Sequence, residues 1–430
     1  RAVELGERAV ALVGGTDPLR AGRLHARLGR YMLLAGRRDA AVAAHQRAVE
    51  LVPPQPPSAE RAEVLAALGS VLMLTWRHDE SRAICRDALT LARAVGARRA
   101  TLSALGVLGV DLVYLGHADD GLAALRQALH LAEENGPPDD VYRASTWLTD
   151  ALNLLGQPRE AARLAAEARE VVRPYGIEHG PLTRNHFEAL FAVGDWDAAD
   201  RVSAAALREM TDNWPHNALI NRAEIELGRG DFDAARTHLE AALVTVREDE
   251  RGMRCYDPVV IDLALWEGRW EDADELVRAA LERASTRDAA LFRVQLCAQG
   301  LRAQAELAAP ARARRLLSAA RGAAEEAVSV TPTAGAWRAL AEAEYARARG
   351  SAQPDAWFDA AAKWERLERP PLAAYCRWRQ AEALTAAHGD PSVPLQEARA
   401  TAMRIGAKPL LRELELLADR VRPSRRPAAR

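Results

Sequence analysis

The chain holds 430 residues, too many for one ordinary compact core, so it is either two or three globular domains or one extended repeat array. Hydrophobic residues make up 49% but aromatics only 5%, an Ala-, Leu- and Val-rich mixture that suits closely packed helices and argues against strands. A net charge of -2 excludes a general electrostatic footprint for nucleic acid or an anionic membrane, leaving room only for local contacts.

The chain opens on AVELGERAVALVGG, a helix of repeat type whose Leu5, Val10 and Leu12 have no preceding partner helix, which leads us to expect more chain upstream. In VGGTDP, residues 13–18, Asp17 followed by Pro18 reads as a helix N-cap with proline in the first turn. A phosphate-binding loop would need a lysine, and Lys363 and Lys408 both lie elsewhere. The strings LGRYMLLAG, LGSVLMLTW, LGVLGVDLVYLG and LTDALNLLG then stack with a constant offset of 40 residues. Leu28, Leu68, Leu108 and Leu148 coincide, as do the small residues Gly29, Gly69, Gly109 and Thr149. So do the turn positions Gly36, Trp76, Gly116 and Gly156, and Ala48, Ala88, Ala128 and Ala168 in the second helix. Each unit reads as two amphipathic helices joined by a tight turn.

GDWDAADRVSAAAL from Gly194, GDFDAARTHLEAAL from Gly230 and GRWEDADELVRAAL from Gly268 continue the series with offsets of 36 and 38. The three glycines end the first helix of their units in a left-handed conformation, and Trp196, Phe232 and Trp270 restart packing as core residues. From Asp288 to Ser329 a long helical pair is broken at Pro310, and VSVTPTAG, residues 328–335, is the best boundary. Helices around Trp337, Trp357, Trp378 and Leu411 form the last hairpins, and RPSRRPAAR reads as a basic tether. The expected organisation is therefore regular repeats over 1–287, an irregular pair over 288–330, C-terminal hairpins over 331–421 and a linker over 422–430.

LGRYMLLAGRRDAAVAAHQRAVELVPP resembles a tetratricopeptide repeat from end to end, with Leu28, Gly29, Gly36, Ala41, Ala48 and the closing Pro53 in place. The expected fold is all-α, a right-handed superhelical solenoid of tetratricopeptide-like helical hairpins. The 40-residue spacing exceeds the usual repeat of about 34 residues, the excess falling after the second helix. Repeats of that longer kind, together with AAYCRWRQAEAL (373–384) and the stretch 398–422, resemble the region ahead of the DNA-binding domain in large actinobacterial ATP-binding regulators of the LuxR type, relatives of MalT. The resemblance implies a STAND-type ATPase upstream and a LuxR-type helix-turn-helix downstream, and it implies ATP for the parent protein alone.

Within the chain itself no cofactor, metal or catalytic group is expected. The ten histidines show no HExxH spacing, His179 and His186 stand seven apart, and no G-x-S-x-G elbow occurs. Cys85, Cys255, Cys297 and Cys376 are too scattered for a disulfide framework, which suits the reducing cytoplasm. No signal peptide opens the sequence, and the most apolar stretch, Ala100 to Gly116, is interrupted by Asp111 and too short for a bilayer, so no membrane partner is expected.

One pattern points to binding. If the first helix of each hairpin lines the concave side, the residues beside the packing face change along the array, from Ser70 and Val110 to Asp150, Glu188, Glu224 and Asp262. Trp147, Arg184, Asn185 and Asn221 stand near them. Such an acidic, amide-lined groove would hold an effector small molecule or a peptide or protein segment, whereas the alternative is an ordinary solvated helix face. The expected function is a regulatory sensor and protein-interaction solenoid coupled to flanking ATPase and DNA-binding domains, with no specific nucleic-acid binding of its own. A stand-alone scaffold, or the regulatory arm of a multidomain cyclase or kinase, is the alternative.

Overall fold

The computed structural model describes residues 1–13, 17–177, 180–208, 215–246, 250–284, 289–328, 331–351 and 353–421. Gly14 to Thr16 of the glycine-containing stretch, His179 of the histidine pair, part of the expected boundary at 328–335 and the whole basic tether fall outside them. The described residues form 22 α-helices and a short 3-10 turn, with no strand among them.

The first nine helices are α1 (Ala2–Val13), α2 (Pro18–Leu34), α3 (Arg38–Leu51), α4 (Ala59–Leu74), α5 (His78–Ala94), α6 (Arg98–Tyr114), α7 (Ala118–Asn135), α8 (Pro138–Leu154) and α9 (Pro158–Val172). There follow α10 (Pro181–Val193), α11 (Trp196–Arg208), α12 (Pro215–Arg229), α13 (Phe232–Val246), α14 (Glu250–Trp266), α15 (Trp270–Arg283) and α16 (Ala290–Leu307). The last six are α17 (Pro310–Val328), α18 (Pro332–Ala348), α19 (Pro354–Arg366), α20 (Pro370–Ala386), α21 (Ser392–Ile405) and α22 (Lys408–Val421). Asp17 caps α2 through the Arg20 amide, with Pro18 in the first turn, and Pro310 starts α17. Closely packed consecutive pairs include α2/α3, α4/α5, α6/α7, α12/α13 and α16/α17.

Every hairpin turn solves the same problem, the unpaired carbonyls at the end of its first helix. A residue in the left-handed region sits at the turn: Gly36, Gly116, Gly156, Gly194, Gly230 and Gly268 have φ between 74° and 90°. The next residue then donates its amide five residues back, Arg37 to Met32, Asp195 to Leu190, Asp231 to Glu226 and Arg269 to Ala264, each at 2.9–3.0 Å. Trp76 takes the same conformation at φ 64° despite its Cβ, and its ring meets His78 and Tyr114 edge-on at 5.7 and 5.6 Å.

The chain divides into two compact units, residues 1–151 with 164–178, and residues 152–163 with 179–430. In the first unit the aligned leucines Leu28, Leu68, Leu108 and Leu148 are all buried, and Ala48, Ala88 and Ala128 are sealed completely. The small residue beside each leucine makes room for one side chain of the second helix. A Cβ on Gly29 would stand 2.3 Å from the His45 ring, on Gly69 2.3 Å from Cys85 Sγ, and on Gly109 2.6 Å from Leu125. Those three intruders are themselves 40 residues apart, so the repeat specifies complementary pairs as well as single positions.

In the second unit, Trp196 is buried, donates its indole N–H to the Phe191 carbonyl at 3.1 Å and stacks on the Phe191 ring at 4.9 Å. Its outer edge fills the space over Gly228, where a Cβ would meet it at 2.7 Å. Phe232 and Trp270 pack against core residues as well, so the three aligned aromatics are core. Within this unit α20 returns against α10 and α22 against α12. Gly194 lies against Ile405 and Pro370, and Gly230 against Pro409.

The paired sizes give a direct test. Gly69→Ala should destabilise the chain by about 1–3 kcal/mol through overpacking. Adding Cys85→Ala should recover most of that loss, because the new Cβ would then meet only ordinary contacts, the residue-85 Cβ and the Ser81 carbonyl oxygen, both at 3.8 Å. Chemical denaturation of the two single variants and the double variant measures the coupling; additive losses would contradict it.

Candidate functional site

The most chemically suggestive buried cluster in the first unit joins α4, α5 and α6. His78 Nδ1 lies 2.8 Å from Asp111 Oδ1, and the Ser81 hydroxyl lies 2.5 Å from Asp111 Oδ2 and 2.9 Å from the Gly69 carbonyl. Serine has one proton to give. If it goes to Gly69, the carboxyl must carry a proton and donate it to Ser81, and burial does push the Asp111 carboxyl upward, against the opposing pull of His78 and Ser81. Serine and histidine thus share the carboxylate instead of bonding each other, and His78 Nε2 is sealed without a partner. That is not the relay a nucleophilic serine needs. Asp111→Asn, which can still donate to Ser81 and accept from His78, should preserve stability, whereas Asp111→Leu should lose roughly 1–3 kcal/mol by orphaning the His78 ring and leaving Ser81 only its bond to the Gly69 carbonyl; denaturation midpoints of the two variants separate these outcomes.

Of the residues expected to line a groove, Trp147 and Asp150 belong to the first unit. Trp147 is wedged against Gly106, where a Cβ would meet its ring at 2.1 Å, and Arg143 lies over it at 5.7 Å. Val110 is buried core, so it lines no groove. Arg184, Asn185, Glu188, Asn221, Glu224 and Asp262 belong to the second unit. Asn185 is buried there, and its backbone carbonyl accepts from Asn153 at 3.0 Å.

The remaining five come together on the inner helices. Arg184 of α10 donates to the Asn221 side chain of α12 and lies 3.7 Å from Glu224. Glu188 and Asp262 raise the Glu224 pKa by their charge, while Arg184 and Arg369 oppose them. Burial is the largest cause, and together these hold Glu224 at about 7 against an ordinary 4.5. Glu224 exposes 24% of its side chain and Arg184 15%, so the pair is half-buried and not part of a freely solvated helix face. Burial also raises Asp262, opposed by Arg302 and Gln299, and lowers Arg369, opposed by Glu188 and Glu224.

Sequence reasoning missed the other half of this lining. Trp266 of α14 and Trp378 of α20 stack at 6.2 Å, and Arg302 of α16 lies 4.3 Å from the Trp266 ring and 4.9 Å from Tyr375 of α20. Glu344 of α18 accepts from Tyr375 and pairs with Arg347 at 2.8 Å, and Arg379 lies 3.7 Å over Trp378. Burial of Glu344 is outweighed by Arg347 and Arg379, which leave its carboxyl below the usual range, while burial and Glu344 push Tyr375 up to about 12. The signal lay in the register: Arg302 follows Asp262 by 40 residues, the spacing of the first repeats, inside a stretch read as irregular.

A separate cleft of about 430 Å3 opens between α17, α18 and the turn after it, lined by Leu317, Arg321, Glu342, Tyr345 and Arg349 among others. Its Arg321–Glu342 pair is largely exposed and it contains no sealed, unpartnered polar atom, so the inner face is the stronger candidate. Among the described residues no cluster of His, Cys, Asp or Glu has the makings of a metal site, and no helix is long and apolar enough to cross a membrane. Cys85, Cys297 and Cys376 are buried, and burial raises all three thiols.

By sequence, neither a family model nor a curated protein matches the chain. By structure it is similar to a Rap protein solved in complex with Competence and Sporulation Factor, at 10% identity and a TM-score of 0.50, covering 93% of this chain and 99% of that one. It is also similar to the apo form of RapI, at 14% identity and a TM-score of 0.47 over 61% of this chain and 97% of the other. A tetratricopeptide repeat protein from Parabacteroides merdae shares 14% identity at a TM-score of 0.41, over 61% and 93% of the two chains. The fold is thus an all-α array of tetratricopeptide-like hairpins.

The Glu224 environment makes a pH prediction. The folded chain holds this proton more tightly than the unfolded one, so its contribution favours folding at low pH and is lost as pH rises from 4.5 to about 7. Glu224→Gln should flatten the fall of Tm across that window; parallel Tm profiles for wild type and variant would show that Glu224 titrates normally.

Proposed function

We propose that the chain is the sensor and protein-interaction solenoid of a LuxR-type transcriptional regulator, seating an effector or a peptide segment on the inner face of its second unit. The observation that carries the binding role is the lining itself. Arg184, Glu224, Asp262 and Arg369 are half-buried charges, partly withdrawn from water in a position where apolar side chains would pack at lower free-energy cost. Charges perturbed by burial and by specific partners, gathered in one place of a fold, mark a candidate binding site. The Rap protein with its bound factor supports the same fold's capacity to carry a partner. The regulator assignment rests on the resemblance of the repeats and of the segments 373–384 and 398–422 to MalT relatives.

Two measurements test this. Random peptides displayed on phage and panned against the full chain should yield binders whose affinity drops at least about tenfold when Arg184 and Asn221 are both changed to Ala, since each tenfold is only about 1.4 kcal/mol. Binders indifferent to both changes would place recognition elsewhere. For the parent, the native reading frame should encode a G-x-x-x-x-G-K-[ST] loop upstream and a helix-turn-helix downstream; a frame lacking both would leave the scaffold reading.

A further inference from the structure

Three arginines meet the aromatic end of this inner face, and one is treated differently from the others. Arg347 reaches Glu306 at 2.6 Å and Glu344 at 2.8 Å, and Arg379 reaches Glu382 at 2.5 Å. Arg302 has no carboxylate within 4.0 Å and no side-chain hydrogen bond among the described residues. It is nevertheless 9% exposed, with Nε sealed from solvent and unbonded. Asp262 feels its charge from beyond contact distance.

The rings of Trp266 and Tyr375 hold this guanidinium at 4.3 and 4.9 Å. Cation–π attraction offsets part of the desolvation cost, but rings cannot accept the in-plane N–H bonds of a guanidinium. A buried arginine whose planar donors are unused, clamped in one orientation by aromatics, is complementary to a planar oxyanion that accepts two parallel N–H bonds. Gln299, one helical turn earlier on α16, adds a sealed Oε1 without a partner while its amide donates to the Pro258 carbonyl at 2.9 Å. That free acceptor suits a ligand that brings its own N–H donor beside its carboxylate.

We propose that Arg302 is the anchor for a ligand carboxylate, seated against Trp266 and Tyr375, with Gln299 Oε1 accepting from a neighbouring ligand amide. This rests on the inner face being the binding site. It goes further by naming the chemistry at one end of that site: the terminal carboxylate or an acidic side chain of a peptide, or a small organic acid.

The test uses the full chain with glutarate and N-acetylglycylglycine as probes, the second bringing an amide beside its carboxylate, and chloride at matched ionic strength as the control. Each carboxylate should raise Tm in a concentration-dependent way and change tryptophan fluorescence, N-acetylglycylglycine more strongly, while its C-terminal amide should have no effect. Arg302→Gln should abolish the response, and Arg302→Lys, which keeps charge but loses the planar fork, should weaken it. With no anion present Arg302→Gln should be at least as stable as wild type, since no carboxylate pairs with the replaced buried charge and the two rings offset only part of its desolvation cost; a structural arginine would instead lose stability. The proposal is overturned if wild type responds no more to the carboxylates than to chloride, or if Arg302→Gln responds as wild type does. Peptides that need Arg184 and Asn221 but not Arg302 would overturn it and leave the binding face itself intact. A response to glutarate but not to blocked peptides identifies an organic acid as the source, and the reverse identifies a peptide terminus.

Discussion

The left-handed residue at the end of each first helix is what the remainder of the structure depends on. It lets the next amide reach five residues back, closes the helix, and reverses the chain within a few residues, so that the second helix lies on the first with fixed register. Fixed register is what makes Gly29 face His45, Gly69 face Cys85 and Gly109 face Leu125 in successive units. A turn one residue longer would rotate the second helix by about 100°, and each intruding side chain would leave its slot. The hairpin has no independent core, since its second apolar face is covered only by the following unit.

Once the packing face is set, so is the face beside it. Positions that follow one another by roughly the repeat length end up on the same side of successive first helices, and this brings Glu188, Glu224, Asp262 and Arg302 into one lining although more than 100 residues separate the ends of that series. The return of α20 against α10 then encloses the lining. Enclosure changes the chemistry: carboxylates that would be ordinary on an open helix face acquire raised pKa values, and arginines acquire aromatic neighbours in place of water.

Much of the hairpin pattern was legible because it is local and repeated. Leu28, Leu68, Leu108 and Leu148 betray their burial through periodicity alone, and the turn glycines are named by the conformation they must adopt. The candidate site was legible in part, for the same reason: Glu188, Glu224 and Asp262 occupy repeat positions. Its burial was not. That depends on Arg369 and Tyr375 arriving from helices nearly 150 residues later, and nothing in the local pattern of α10 or α12 announces them. Arg302 was hidden by a different cause, since it lies in the long α16, where the shorter repeat strings give no local cue to its position.

An interior built this way has two chemically distinct ends. Around Glu224 burial and the charges of Glu188 and Asp262 outweigh the pull of Arg184 and Arg369, and the balance leaves a proton-holding acid near neutrality. Around Tyr375 the balance falls the other way, with Glu344 kept ionised by two arginines and Arg302 left over. A ligand carrying positive charge at one end and a carboxylate at the other would relieve both imbalances at once, replacing water that a buried ion cannot recover and pairing groups the chain leaves unpaired. A ligand with one charge would relieve only one of them. For a ligand bound as proposed, length would enter recognition alongside charge, since a molecule that spans α12 to α16 satisfies what two shorter ones could satisfy only by each surrendering its own translational freedom.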